Sequence, residues 1–236
     1  MKIQFLVISI LMIAFGANAQ RKDYLVTLET SLGTAHIVLY DETPLHKANF
    51  IKLVKAKYYD SLLFHRVISN FMIQGGDPDS KKAGPNARLG AGGGNLERIP
   101  FEFTTARVHK KGALAAARDG NREKKSSPVQ FYIVHGRKFA DEEVSKVERN
   151  NNLKYTNQQR LDYVSVGGTP ALDNLYTVFG EMVDNVALVD KIAAVEIGDF
   201  DRPKEDLKMK MTVKKVSKRR ITKKYGFIYP KKSKKT

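Results

Sequence analysis

At 236 residues and 42% hydrophobic, the chain has the length for one or two domains and enough apolar material to bury a core, which excludes a disordered polypeptide. It contains no cysteine, which excludes disulfides, a thiol nucleophile, a cysteine metal site and a lipid-modified N-terminal cysteine. The formal net charge of +16 is uneven: fifteen basic and three acidic residues fall between Asp201 and Thr236, a distribution suited either to polyanions through counterion release or to solvation alone.

Residues 1–19 read as a signal peptide. Lys2 supplies the positive start, Ile3 to Phe15 is an apolar run broken only by Gln4 and Ser9, and Ala17-Asn18-Ala19 is a small-residue cleavage site. The run is shorter than the roughly 20 residues a spanning helix needs. An exported protein, periplasmic or secreted, is expected, with a mature chain from Gln20 and no transmembrane segment after cleavage.

Residues 24–29 and 34–40 mostly alternate in polarity and flank Ser31-Leu32-Gly33, which predicts a hairpin. Thr43 as N-cap and Pro44 at the first helical position open a helix with Ala48, Phe50, Ile51, Leu53 and Val54 on its apolar side. Residues 62–67 and 71–74 are two further strands joined at Ser69-Asn70. Gly75-Gly76-Asp77-Pro78-Asp79 ends the second, and a glycine-rich loop runs to about Arg98. Asp77 and Asp79 beside that loop could suggest a cation or phosphate site. The loop does not run into a helix as a phosphate loop does, so it reads as turn structure lining a groove. Residues 112–117, 129–134 and 177–183 are strand candidates. Residues 185–195 form a second helix capped by Asp184 or Asn185, and 207–216 a closing strand. Between about 137 and 168 the chain is polar with helical spacing: Asp141 and Thr156 are candidate caps, and Val144 with Val147 and Leu161 with Val164 sit three apart. This segment reads as a mostly helical insertion, and 217–236 as a basic C-terminal tail. The pattern predicts a mainly β chain, a closed barrel with a helix at each mouth.

Phe64-His-Arg-Val-Ile-Ser-Asn-Phe-Met-Ile-Gln-Gly-Gly-Asp77 resembles the signature of the cyclophilins. Ile99-Pro-Phe-Glu-Phe103, Gly112-Ala-Leu-Ala-Ala-Ala-Arg118, Val129-Gln-Phe-Tyr-Ile-Val134, Leu172-Asp173 and Tyr176-Thr-Val-Phe-Gly180 are similar to further segments of that family, in its order. The resemblance covers roughly 24–216 outside the insertion. It implies a closed, eight-stranded antiparallel barrel capped by two α-helices, and a cofactor-independent peptidyl-prolyl cis/trans isomerase acting on proline-containing polypeptides.

The residue types suit that chemistry. The partial double bond of an X–Pro amide gives a barrier of about 18–20 kcal/mol. Twisting it restores a lone pair to nitrogen, so a fixed cationic donor there favours the twisted state over the planar one. Arginine cannot lose its proton and presents a rigid fork of donors. The resemblance gives this role to Arg66 and makes Gln74 the residue that orients it. It places Phe71, Met72, Tyr132 and Leu172 around the proline ring, and His65, Ala117, Arg118, Gln130, Ala171 and Tyr176 at the rim. Met72 and Gln74, like Gln130 and Tyr132, are two apart and share a strand face. No proton transfer is needed, and no paired carboxylates or Ser-His-Asp set is evident. The five histidines show no ligand spacing, so no metal is expected. Tyr132, Ala171 and Tyr176 stand where the family carries Phe, Trp and His, and Arg118 where it often has Asn. The insertion falls beside this rim and is expected to shape substrate choice. A proline-segment binding module, or a tether relying on the basic tail without specific nucleic-acid recognition, are the competing readings.

Overall fold

The computed structural model describes residues 22–230; the expected signal peptide lies outside them. All eight expected strands are present: β1 (Lys22–Thr30), β2 (Gly33–Leu39), β3 (Phe64–Ile68), β4 (Met72–Gly75), β5 (Ala113–Ala116), β6 (Phe131–Val134), β7 (Val178–Met182) and β8 (Met209–Ser217). They form one antiparallel sheet in the order β3-β4-β6-β5-β7-β2-β1-β8. β1 and β2 form the expected hairpin, in register from Leu25 opposite Val38 to Thr30 opposite Gly33.

The expected closed barrel is corrected to an open half-barrel. The edges beside β3 and β8 are joined at the isolated bridge between Leu63 and Lys208, where the Phe64 N–H donates to the Leu207 carbonyl at 3.0 Å and the Met209 N–H to the Leu62 carbonyl at 2.8 Å, with the Ser61 N–H donating to the Met209 carbonyl at 2.9 Å; β3 and β8 themselves form no ladder. β3 shifts register between Phe64 and Arg66, and beyond that point a turn at Asp199–Asp201, not β8, runs beside it.

The inner face of the sheet carries the main core. Val26, Leu28, Ile37, Ile73, Leu114, Phe131, Ile133 and Phe179 pack there against two helices, α1 (Pro44–Lys55) and, later in the chain, α4 (Ala187–Ala193). Phe50 of α1 sets its ring 5.1 Å from Tyr59, 5.3 Å from Phe179 and 5.7 Å from Phe131, within the range of favourable aromatic pairs. Thr43 is the N-cap of α1, but its hydroxyl turns to the Tyr40 carbonyl at 3.4 Å. A carboxylate 56 residues away does the capping instead: Glu102 accepts the Leu45 and His46 N–H groups, each at 3.0 Å. At α4 neither Asp184 nor Asn185 caps; Asp184 accepts the N–H of His36 at 2.6 Å instead.

The insertion is helical, with α2 (Asp141–Asn151), α3 (Asn157–Leu161) and a wider turn at Asp162–Val166. Thr156 caps α3 as expected, whereas the N-cap of α2 is Ala140 and Asp141, expected as the cap, is its first helical residue. Val144, Tyr155 and Tyr163 form a small core of their own with Val108, while Leu161 is exposed. The two ends of the insertion are clasped by paired backbone bonds between Arg137 and Gly168, at 3.2 and 2.9 Å.

The expected tail is folded as far as it is described. Ser217 caps α5 (Lys218–Tyr225), Ile221 is fully buried, and Phe227 packs on Tyr40 with ring centroids 6.4 Å apart.

Candidate active site

Antiparallel pairing assembles the site on the outer face of the sheet. Arg66 of β3 lies opposite Gln74 of β4, Gln74 opposite Tyr132 of β6, and Tyr132 opposite Ala115 of β5. Directly opposed residues share a face, with Cβ atoms about 4.5–5.5 Å apart, so these four form one row across four strands. The alanines Ala113, Ala115 and Ala117 keep that face low between larger neighbours. The turn after β3 adds Phe71, and the segment before β7 adds Leu172 and Tyr176. Arg66, Phe71, Met72, Gln74, Ala117, Arg118, Tyr132, Leu172 and Tyr176 thereby line one slot of about 170 Å³. Six of these nine residues are apolar or aromatic, and two carry guanidinium groups.

Arg66 is partly exposed. Its Nε donates to Asp201 Oδ2 at 3.2 Å, and among the described residues the terminal nitrogens have no partner. Asp201 sits on the turn at Asp199–Asp201, where Phe200 and Asp201 both adopt left-handed backbone, at φ 58° and 59°. Conformations of this kind cost about 1–3 kcal/mol each and persist where the surroundings impose them. The Gln74 amide donates to Gln130 Oε1 at 3.0 Å, and the Gln130 amide donates to the carbonyls of Gly90 and Gly92 at 3.0 and 2.9 Å. Arg118 crosses the Tyr176 ring at 4.6 Å and donates to the Leu175 carbonyl at 3.0 Å.

Gln130 lies outside the slot, in a neighbouring groove of about 360 Å³ lined by Gly90–Gly94, Arg98, Asp119 and Pro128. Gln74, Ala117 and Arg118 border both spaces. Asp77 lies buried beneath the glycine-rich loop and accepts backbone N–H groups of Asp79, Gly90 and Gly92. It serves as a turn anchor, as the sequence predicts, and among the described residues no cluster of three or more ligating side chains could hold a metal ion. Two further expected rim residues, like Gln130, are not in the slot. Ala171 is exposed on the turn Pro170–Leu172, and only its neighbour Leu172 reaches inside. His65 is buried beside Gly90, and neither ring nitrogen has a hydrogen-bond partner among the described residues. Burial lowers its pKa to about 4.

His65 predicts a pH dependence. Its folded pKa lies below its unfolded value near 6.5, so the unfolded chain takes up the extra proton and stability falls as pH drops from about 6.5 toward about 4. Its share is at most about 3 kcal/mol. His46, also held low by burial, acts in the same direction. Urea unfolding across that window should show a shallower fall for His65→Leu than for the unmodified chain. Parallel curves would assign the effect to other groups.

Sequence reasoning missed Asp201 on Arg66 and the partners behind Tyr132, namely His109, Asp173, Tyr155 and Tyr163. Only Asp173 carried a signal, as part of Leu172-Asp173.

The family model described as cyclophilin type peptidyl-prolyl cis-trans isomerase matches residues 25–214. A provisionally named peptidyl-prolyl cis-trans isomerase of Staphylococcus haemolyticus is 32% identical over 189 residues, covering 80% of this chain and 89% of its own. A provisionally named bifunctional phosphatase/peptidyl-prolyl cis-trans isomerase of Streptococcus pyogenes is 38% identical over 187 residues; the match takes in 77% of this chain but 37% of that longer protein. Among solved structures, a cyclophilin of Cryptosporidium parvum crystallised in the presence of the dipeptide Ala-Pro aligns with a TM-score of 0.57 at 19% identity, over 80% of this chain and 98% of its own. A cyclophilin of Hirschia baltica aligns with a TM-score of 0.52, over 82% of this chain and 76% of its own. The family model and the curated relatives agree, and this chain belongs to the cyclophilin-type peptidyl-prolyl cis-trans isomerases.

Proposed function

We propose that the chain accelerates cis/trans rotation of X–Pro bonds in exported polypeptides. The observation that carries this reading is the cross-strand row itself: a free guanidinium edge at Arg66, held beside Gln74 at the mouth of an apolar slot of about 170 Å³. A proline ring desolvates into the slot, which fixes the amide nitrogen at its rim. The Gln74 amide nitrogen is spent on Gln130 Oε1 at 3.0 Å, and Gln74 lies directly opposite Arg66 in the row. As the amide twists, nitrogen becomes an acceptor and Arg66 donates to it. The interaction grows toward the transition state, the condition for lowering a barrier. The chain needs no general base for this step, since no bond to hydrogen is broken. The Ala-Pro dipeptide used with the Cryptosporidium parvum structure is the simplest substrate class consistent with the slot.

Export is supported by the sequence of residues 1–19. Exchange spectroscopy on an Ala-Pro peptide tests the enzymatic reading: the chain should raise the interconversion rate in proportion to its concentration. Binding of the peptide with no faster exchange would favour the binding module instead.

A further inference from the structure

Behind the slot, the hydroxyl of Tyr132 lies 3.0 Å from Nε2 of His109, and the two rings stack with centroids 6.0 Å apart. Nδ1 of His109 lies 2.7 Å from Oδ1 of Asp173, which also accepts the His109 backbone N–H at 2.9 Å. Oδ2 of Asp173 accepts the hydroxyls of Tyr155 at 2.7 Å and Tyr163 at 2.6 Å. All five residues are buried, and the two tyrosines belong to the insertion. Gly168, where the insertion returns, makes the approach possible: a Cβ there would fall 2.3 Å from the His109 carbonyl oxygen and 2.7 Å from the Tyr163 ring.

The hydrogens in this chain of bonds have one consistent direction. A carboxylate that accepts from two phenols and a backbone N–H also accepts from Nδ1–H. With that hydrogen spent, Nε2 is the acceptor, and the Tyr132 hydroxyl donates to it. Burial holds the phenols of Tyr132, Tyr155 and Tyr163 well above their ordinary pKa, so each keeps its hydrogen. The donor of Tyr132 is therefore aimed away from the slot, and the slot meets a ring. This accounts for a tyrosine at the floor of an apolar site: a proline ring offers no acceptor, and a hydroxyl turned toward it would be left unpaired.

We propose that the insertion positions the floor of the proline slot, with Tyr155 and Tyr163 acting through Asp173 and His109 on the hydroxyl of Tyr132. The proposal rests on the reading of the slot as the proline site. The pair Tyr155→Phe, Tyr163→Phe should raise KM for an Ala-Pro peptide about fivefold, with kcat changed by less than about twofold. In a Tyr132→Phe background the same pair should shift KM by less than about twofold, because the hydroxyl it acts on is gone. An equal shift in both backgrounds, or none in the unmodified chain, would overturn the proposal, since a merely structural role would not depend on Tyr132. The nitrogen-15 spectrum of His109 in the full chain judges the proposal apart from turnover. A protonated Nδ1 and bare Nε2 are expected, and the opposite tautomer would overturn it. Absence of turnover in the unmodified chain would instead count against the isomerase reading.

Discussion

Arg66→Ala is expected to leave the chain folded and to remove most of its turnover. The side chain is 42% exposed and its ion pair partner Asp201 is 46% exposed, so the pair adds no more than about 1 kcal/mol of stability. The catalytic loss is larger because the donor acts where charge develops. Removing one preorganised donor of this kind costs about 2.7–4 kcal/mol in the transition state, or about a hundredfold to a thousandfold in rate. Against a barrier near 20 kcal/mol, turnover of about a thousand per second needs roughly 6–7 kcal/mol in all, so Arg66 alone supplies about half. Arg66→Lys keeps the charge but loses the fork, and should fall between the two. Exchange rates on an Ala-Pro peptide, with thermal unfolding alongside, decide the matter. A variant as active and as stable as the unmodified chain would remove Arg66 from the mechanism.

The second large effect belongs to Asp77. Its carboxylate is fully buried, with Oδ1 accepting the Asp79 N–H at 2.8 Å and Oδ2 accepting the Gly92 N–H at 3.3 Å and that of Gly90. Gly90 and Gly92 in turn hold Gln130, Gln130 holds Gln74, and Gln74 lies opposite Arg66. Asp77→Ala leaves three amides without an acceptor, at about 1–3 kcal/mol each where they stay buried. A net loss of about 3 kcal/mol lowers Tm by about 6–12 °C for a chain of this size. It should also raise KM, as the loop that holds Gln130 relaxes. Asp77→Asn keeps one acceptor and should lose less. Unfolding curves for the two variants that overlay that of the unmodified chain would show that the loop is held by other contacts.

The elements legible in the sequence are those whose information is local. Period-2 alternation marked β1, β2 and β8, short apolar runs marked β3 and β4, and Pro44 marked the start of α1. The same period placed Met72 with Gln74 and Gln130 with Tyr132 on shared faces, and motif likeness located Arg66. Helical spacing found the insertion, but Leu161 turned outward because the insertion packs on its own small core around Val144, Tyr155 and Tyr163.

What remained hidden depends on partners far apart along the chain. Asp201 meets Arg66 across 135 residues, and Glu102 caps a helix that Thr43 was expected to cap. The composition of the basic run after Ser217 left polyanion binding or solvation open, and one isoleucine and one phenylalanine anchor it to the outer face of the sheet. His65 alternates with Arg66 but is sealed beneath the glycine-rich loop, and Ala171 points to solvent. By itself, then, the sequence determined the strands and which residues along them share a face, because side-chain period is a property of the local backbone, while motif likeness singled out Arg66. Only the tertiary structure decided the open edge between β3 and β8, the carboxylates that hold Arg66 and α1, and the buried line from Tyr155 and Tyr163 to Tyr132. Each of those depends on which distant groups packing brings within hydrogen-bond reach.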